Sequence, residues 1–146
     1  MTDLYLSLGS NLGDRHTLML KAIEALVQRV GVLMRCSSFI ETEPWGFESE
    51  HPFLNAVALY RTTLTPREVL AETQAIEREL GRQQKSTGSY ADRPIDIDIL
   101  LYGQERVQEP DLKIPHPLML DRPFVMKPLA EIAPELVAEL LKHSRT

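Results

Sequence analysis

The sequence predicts an α+β fold in which an antiparallel sheet packs against helices. Two segments carry apolar residues at helical spacing, and four segments have the alternation or residue types of strands. The chain has 146 residues, with 16 Lys+Arg, 21 Asp+Glu and a net charge of −5. This length fits one domain, which we expect to span residues 1–146.

The first half of the chain reads as strand, helix, strand, strand. Residues 4–9 alternate leucines with Tyr, Ser and Gly, as a half-buried strand does. From about Asp14 the apolar residues fall at helical spacing, and Gly31 is predicted to end this helix. Residues 32–41 and 53–61 are then predicted to be strands.

The second half begins with a well-marked helix. Thr65, Pro66 and Glu68 form the pattern of a capping box with proline in the first turn, and Gly81 is predicted to stop the helix. Residues 95–102 form a strong strand whose core face is expected to carry Ile95, Ile97, Ile99 and Leu101. A Pro-rich remainder leaves room for a short helix at 122–132, and the last ten residues either form another helix or fray.

The order β-α-β-β-α-β predicts a ferredoxin-like sandwich with both helices on one face, followed by a Pro-rich C-terminal extension. The stretches 42–52 and 82–94 are longer than the usual connection of about 4–6 residues. Such loops in a small domain are usually functional or disordered. We expect both to become ordered when ligands bind.

Composition excludes several classes of protein. No apolar run approaches the roughly 20 residues that span a bilayer, and the first residues lack the pattern of a secretory signal. The single cysteine, Cys36, permits neither an internal disulfide nor a thiolate zinc cluster. We therefore expect a cytoplasmic protein that binds neither membranes nor, given its acidic balance, nucleic acid.

The most informative feature is the pair Asp96 and Asp98. On a strand, residues i and i+2 point to the same face, with Cα atoms roughly 6.5–7 Å apart. Two adjacent carboxylates suit Mg²⁺, and Arg82, Lys85 and Arg93 lie just upstream. This combination indicates a site for a polyphosphate and its metal, whereas the plainer interpretation is a solvated strand face.

Other polar residues are weaker candidates. Gln74 and Glu77 share one helix face, and His116 lies between two prolines, yet each is also compatible with an ordinary surface or packing role. Asn55 is predicted on a strand face with apolar neighbours, where a ligand ring or a backbone group would satisfy its amide. Residues 9–13 (GSNLG) only loosely resemble a phosphate loop, and a tight turn is the simpler interpretation.

Taken together, these segments resemble the 6-hydroxymethyl-7,8-dihydropterin pyrophosphokinase family of folate biosynthesis. The matching motifs run from Tyr5 to Pro134: LGSNL at 8–12, SSF at 37–39, FLNA at 53–56, IE at 76–77, GR at 81–82, RPIDIDI at 93–99, IPH at 114–116 and EIAP at 131–134. The R-x-x-D-φ-D segment, where φ is apolar, is the most specific of them. The family's fold is the ferredoxin-like arrangement.

The resemblance implies a reaction and a set of site residues. The reaction moves the terminal two phosphates of ATP, as one unit, to the pterin hydroxymethyl group and releases AMP. Asp96 and Asp98 would hold two Mg²⁺ ions, while Arg82 and Arg93, helped by Lys85, would neutralise the phosphates. Implied nucleotide contacts also include Gln74, Glu77, Ile99, His116 and Arg122. The pterin would be bound by Asn55, Thr42, Pro44 and Trp45, between Phe53 and Phe124, with Tyr90 closing over it.

The sequence also departs from the family pattern. Phe53 stands where some members carry Tyr, and Gln84 where some carry a second loop arginine. Asp92 and Ser89 replace residues usual near the signature arginine. These departures affect expectations about loop closure, not the class of reaction.

Two other classes remain as alternatives. Ferredoxin-like folds also make RNA-binding or small-molecule-binding modules, but an RNA-binding version would need a basic surface and aromatic residues at the centre of the sheet. A metal-dependent phosphohydrolase could use the same carboxylates, but it would not need the pocket of Phe53, Asn55 and Phe124. We expect a monomeric enzyme that binds small molecules.

Overall fold

The computed structural model describes residues 1–43, 51–81 and 94–144. Its elements follow the predicted order, except that the second predicted strand is divided in two and that further elements follow residue 102. They are β1 (Thr2–Ser10), α1 (Arg15–Arg29), β2 (Gly31–Cys36), β3 (Ile40–Thr42), β4 (Phe53–Thr62), α2 (Pro66–Glu79), β5 (Asp96–Tyr102), β6 (Val107–Glu109), β7 (Leu112–Ile114), a 3-10 turn (Met119–Asp121), α3 (Pro123–Ile132) and α4 (Pro134–Ser144).

The main sheet is antiparallel, with the strand order β2-β4-β1-β5, and β3 also pairs with β4. Alternate residues of the strands enter two separate apolar clusters. Leu6 on β1 joins the cluster that contains Leu26 of α1 and Val69 of α2. Val57 on β4 joins the cluster that contains Leu129 of α3. Helices α1 and α2 therefore cover one face, and α3 packs against the other.

Local signals explain most of the helix boundaries. The side chain of Asp14 accepts a hydrogen bond from Thr17 N–H and caps α1. Thr65 and Glu68 form the predicted capping box, and Gly81 follows α2 with a φ of 116°. Gly31, however, does not end α1 through a left-handed conformation. It begins β2, and it must be glycine because a Cβ there would collide with the carbonyl of Arg61 on β4.

The prediction of one strand over residues 32–41 was wrong, because the segment is broken at residues 37–39. Cys36 pairs with Ala58, whereas Ile40 pairs with Asn55. The segment from β2 to β3 therefore has one residue more than the part of β4 that lies opposite it. The Ser37 hydroxyl accepts the Val57 N–H. The N–H and hydroxyl of Ser38 both donate to Glu131. These hydrogen bonds, to β4 and to Glu131 of α3, replace the regular backbone pairing of a strand at residues 37–39.

The expected face of Leu101 was also wrong. The pairing of β1 with β5 shifts between Tyr5 and Leu6, so that Leu100 is an extra residue on β5. A bulge of this kind reverses the alternation after it. Leu101 consequently joins the cluster on the α3 face, while Ile95, Ile97 and Ile99 lie in the other cluster, as predicted.

The Pro-rich extension contains more structure than the sequence suggested. A short hairpin, β6-β7, turns at Pro110 and Asp111, both common turn residues. The helix predicted at 122–132 is confirmed as α3, and the last residues form α4 rather than fraying within the described range. None of the helices in the described ranges is both long and apolar enough to cross a bilayer.

Candidate active site

Polar side chains from three neighbouring strands share one face of the sheet. Asn55 on β4 pairs with Gly9 on β1, and Gly9 in turn pairs with Asp96 on β5. Directly paired residues in an antiparallel sheet point to the same side, so Asn55 and Asp96 lie on one face, two strands and about 10 Å apart. Asp98, opposite Ser7, extends this face along β5.

Gly9 keeps the space between these residues open. A Cβ at this position would lie 2.9 Å from Asn55 Oδ1 and 3.4 Å from Phe53 Cδ1. The sequence placed Gly9 at the end of the first strand and at the start of a turn, and the structure confirms it as a strand residue, at the middle of the site. Its position became visible only when the register of β1 was known.

Asn55 is held in place by a neighbour from β3. It is 3% exposed, and its Nδ2 donates a 2.5 Å hydrogen bond to Thr42 Oγ1. Phe53 precedes Asn55 by two residues on β4 and is half-buried. The sequence had proposed all three residues for the pterin pocket, and the structure brings them together.

One of the two aspartates, Asp98, lies near a buried cation. Asp96 and Asp98 are both half-buried, whereas Ile97 between them is buried. Arg122, 7% exposed, places Nη1 3.9 Å from Asp98 Oδ2. Its guanidinium also lies 5.5 Å from the centre of the Phe124 ring. Arg122 immediately precedes α3, so this helix delivers both residues to the site.

A cleft of about 280 Å³ opens next to Asp98. Asp98, Ile99 and His116 contribute to its wall, together with Asp111 and Lys113 from the β6-β7 hairpin. Two residues expected to contact nucleotide, Ile99 and His116, thus line the same opening as Asp98. The hairpin wall was missed at the sequence level because Val107, Leu112 and Ile114 make only a short alternating pattern.

His116 is neutral near pH 7. Burial and the nearby Arg122 lower its pKa to about 4, against a smaller raising effect of Asp96. Its Nδ1 accepts a 3.2 Å hydrogen bond from Leu118 N–H. The neutral ring therefore carries its hydrogen on Nε2 and can donate from that atom.

The two residues predicted on α2 differ in their surroundings. Gln74 is half-buried. Glu77 is 5% exposed, and its Oε2 accepts a 2.8 Å hydrogen bond from Ile97 N–H. This contact with the backbone between the two aspartates was not foreseen from the sequence.

Several predicted site residues lie outside the described residues: Pro44, Trp45, Arg82, Lys85, Tyr90 and Arg93, with the departures Gln84, Ser89 and Asp92.

The segment that leads into β4 is held by two side chains to which the sequence reasoning gave no role. Asn11 Nδ2 donates to the His51 carbonyl at 3.0 Å, and Arg15 Nη1 donates to the Pro52 carbonyl at 2.9 Å.

Fold and site together have the features of an α+β enzyme for phosphate-group transfer: paired carboxylates, a buried arginine and an open cleft beside the strand that carries the carboxylates. The model of the 7,8-dihydro-6-hydroxymethylpterin-pyrophosphokinase (HPPK) family matches residues 5–134. The chain therefore belongs to this family.

Individual relatives agree with this assignment. The chain is 60% identical over 141 residues to a 2-amino-4-hydroxy-6-hydroxymethyldihydropteridine pyrophosphokinase of Porphyromonas gingivalis, covering 95% of this chain and 96% of that protein. It is 42% identical over 136 residues to the enzyme of the same name from Bacillus subtilis, covering 92% and 80%.

Solved structures show the same fold. An HPPK-DHPS in complex with substrates superposes with a TM-score of 0.71 at 14% identity, over 90% of this chain. The HPPK-DHPS of Plasmodium falciparum gives a TM-score of 0.67 at 15% identity, over 89% of this chain. The present chain spans 40% of the length of each of these two larger chains.

Proposed function

We propose that this chain transfers pyrophosphate from ATP to the hydroxymethyl group of 6-hydroxymethyl-7,8-dihydropterin on the sheet face that carries Asn55, Asp96 and Asp98. Family membership supports the reaction. The observation that carries its location is the common face of Asn55 and the two aspartates, with the cleft of Asp98, Ile99 and His116 beside them.

Asp96 and Asp98 would hold Mg²⁺, and by analogy with the family they would hold two ions. The residues suit this metal, because Mg²⁺ takes oxygen ligands and is commonly bound by one or two carboxylates together with substrate phosphates. Bound Mg²⁺ supplies charge neutralisation at phosphate oxygens. Arg122 adds a positive charge beside Asp98 and keeps that side chain oriented.

ATP occupies the cleft between β5 and the β6-β7 hairpin, where Ile99 supplies apolar contact and His116 a neutral donor. Gln74 and Arg122 belong to the same nucleotide-binding group, whereas the buried Glu77 contacts the backbone of β5. Arg82, Lys85 and Arg93 neutralise the phosphates in this proposal, on the basis of the family motif alone.

The pterin occupies the neighbouring part of the face. Asn55, oriented by Thr42, reads the hydrogen-bonding edge of the ring, and Phe53 and Phe124 offer aromatic surfaces for stacking. Pro44, Trp45 and Tyr90 complete the pocket by analogy with the family. The open strip over Gly9 joins this pocket to the carboxylates.

The chemical step needs positioning and charge stabilisation more than a protein base. The hydroxymethyl oxygen bonds to the β-phosphorus of ATP. The bond between the β-phosphorus and the oxygen that bridges it to the α-phosphorus breaks, and AMP leaves with that oxygen. The proton of the hydroxyl passes to solvent. His116 is a poor proton acceptor, because its pKa is lowered to about 4 and its Nδ1 already accepts the Leu118 N–H, and Asp98 faces a cation, so neither is assigned as a base.

We extend the proposal to the fold type, the cellular location and the oligomeric state of the protein. The strand order β2-β4-β1-β5, with α1 and α2 on one face, supports a ferredoxin-like arrangement in a single domain. A single cysteine suits a reducing compartment, which supports a cytoplasmic location. We also propose that the chain acts as a monomer.

The test is a pair of substitutions, Asp96→Asn and Asp98→Asn, with Asp3→Asn on β1 as a half-exposed control. Each removes a charge while keeping volume. Turnover should fall about 100-fold or more in the first two and stay unchanged in the control. Near-normal turnover of either variant at limiting Mg²⁺ contradicts the metal assignment.

The product distinguishes the alternatives. A pyrophosphokinase forms AMP only in step with the pterin diphosphate, whereas a phosphohydrolase releases phosphate or pyrophosphate from ATP without pterin. Nucleotide analysis with and without the pterin separates the two. A binding module would give no turnover with either mixture.

A further inference from the structure

Glu77 contacts the backbone of β5 at the point between the two aspartates. Its Oε2 accepts a 2.8 Å hydrogen bond from the N–H of Ile97, and both residues are buried, at 5% and 6% exposure. A buried N–H that lacks an acceptor costs free energy, so the presence of an acceptor oxygen at this point matters. This bond is therefore a substantial constraint on residue 97.

The position of β5 explains why the constraint is needed. Among the described residues, β5 lies at the end of the sheet order and pairs with β1 alone. One edge of β5 thus lacks a neighbouring strand to accept its N–H groups, and a buried N–H without an acceptor is costly. Glu77, reaching from α2, supplies the acceptor at Ile97.

Ile97 also fixes the relation between its neighbours. The directions of the Asp96 and Asp98 side chains depend on the peptide units on either side of residue 97. A strand held along one edge only can twist or fray at its first residues, and β5 begins at Asp96. The hydrogen bond from Ile97 N–H to Glu77 holds the first residues of β5 in place.

We propose that Glu77 is a positioning residue that sets the spacing of the two carboxylates through the Ile97 amide. This inference rests on the proposed role of Asp96 and Asp98. It differs from a direct contact between Glu77 and nucleotide, since the feature that matters is a hydrogen-bond acceptor at the correct distance rather than a negative charge.

Two substitutions separate these features. Glu77→Gln removes the charge but keeps a side-chain oxygen of the same length, and Glu77→Asp keeps the charge but withdraws the oxygen by one methylene. We expect Glu77→Gln to stay within about threefold of wild type in kcat and in the Mg²⁺ concentration at half-activity. Glu77→Asp should lose about tenfold or more in both, because an orphaned buried N–H disturbs β5.

A readout independent of turnover comes from the Ile97 amide. Its hydrogen exchange in the free protein should accelerate at least tenfold in Glu77→Asp and stay near wild type in Glu77→Gln. Thr73→Val is the matched control, since Thr73 is a buried polar residue on the same helix whose hydroxyl donates only within α2, to Leu70 O. This variant should leave Ile97 exchange and Mg²⁺ dependence unchanged.

The opposite ranking, with Glu77→Asp active and Glu77→Gln impaired, overturns the inference and favours a role of the charge. Unchanged Ile97 exchange in Glu77→Asp overturns it as well. The KM for pterin should change little in either variant, because Asn55 lies two strands away. If Asp96→Asn and Asp98→Asn both retain activity, the metal proposal fails, while Ile97 exchange still reports on the Glu77 bond.

Discussion

Asn55 lies directly opposite Gly9, and its Oδ1 lies only 2.9 Å from the point where a Cβ on residue 9 would stand. The absent side chain of one residue thus leaves room for the buried amide of the other. Asp96, on the other neighbouring strand, also pairs with Gly9. The space left by the missing side chain of Gly9 therefore connects the proposed pterin pocket with the proposed metal site.

Gly9→Ala should impair pterin binding. The new methyl group forces the Asn55 amide and the Phe53 ring to move, and overpacking of this kind costs about 1–3 kcal/mol. We expect a lower free energy of unfolding in urea and pterin affinity reduced by about tenfold or more, measured by isothermal titration with Mg²⁺ and a non-hydrolysable ATP analogue.

The double variant Gly9→Ala/Asn55→Ala provides the control for this prediction. Removing the amide relieves the collision, so part of the lost stability should return while pterin affinity stays low. Additive losses in stability would show that the two side chains do not compete for the same space.

Asn55→Ala should weaken pterin binding far more than nucleotide binding. Each polar contact left without a partner costs roughly 1–3 kcal/mol, and the hydroxyl of Thr42 also loses its donor. Titration with pterin and with the ATP analogue measures both affinities. Equal losses for the two ligands would mean that Asn55 serves the fold rather than the pocket.

His116 should make the protein less stable as the pH falls. Its pKa is about 4 in the folded chain against 6.5 for a free side chain, so the unfolded state takes up the proton first. The stability due to the neutral ring is complete above about pH 6.5 and is lost as the pH falls toward 4. His116→Asn lacks this titration, yet its side-chain oxygen can still accept the Leu118 N–H.

Urea unfolding of both proteins at about pH 7 and about pH 4.5 tests this expectation. On going from the higher to the lower pH, the free energy of unfolding of the wild type should fall relative to that of His116→Asn. The expected relative loss is on the order of 1 kcal/mol, after discounting for partial exposure. The same difference at both pH values would contradict a lowered pKa.

Thr65→Ala should destabilise the protein without changing its reaction. Thr65 Oγ1 accepts the Glu68 N–H at 3.2 Å, and Glu68 Oε1 accepts the Thr65 N–H at 2.8 Å. Loss of an N-cap of this kind costs about 1 kcal/mol, which lowers Tm by about 2–4 °C. Thr63→Ala, at an exposed position two residues earlier, should leave Tm nearly unchanged.

The elements that the sequence predicted well depend on local signals. The capping box at Thr65, the alternation in residues 4–9 and the run from Ile95 onward act over a few residues, so they are readable without knowledge of the fold. The pair Asp96 and Asp98 was likewise visible, because the period of a strand places both side chains on one face whatever its neighbours are.

The errors occurred where distant segments decide the outcome. Leu101 changed face because a bulge against β1 adds one residue to β5. The segment 32–41 broke because Glu131, more than ninety residues away, accepts two hydrogen bonds from Ser38. Neither effect leaves a pattern in the local sequence.

The site divides in the same way. The residue types for a phosphate and metal site, and the motifs of the HPPK family, stand in the sequence because chemistry requires those side chains. The use of Gly9 as open space, the approach of Arg122 to Asp98 and the bond from Ile97 to Glu77 arise only from packing. Strand register and helix placement bring such residues together, and these depend on the whole chain folding at once.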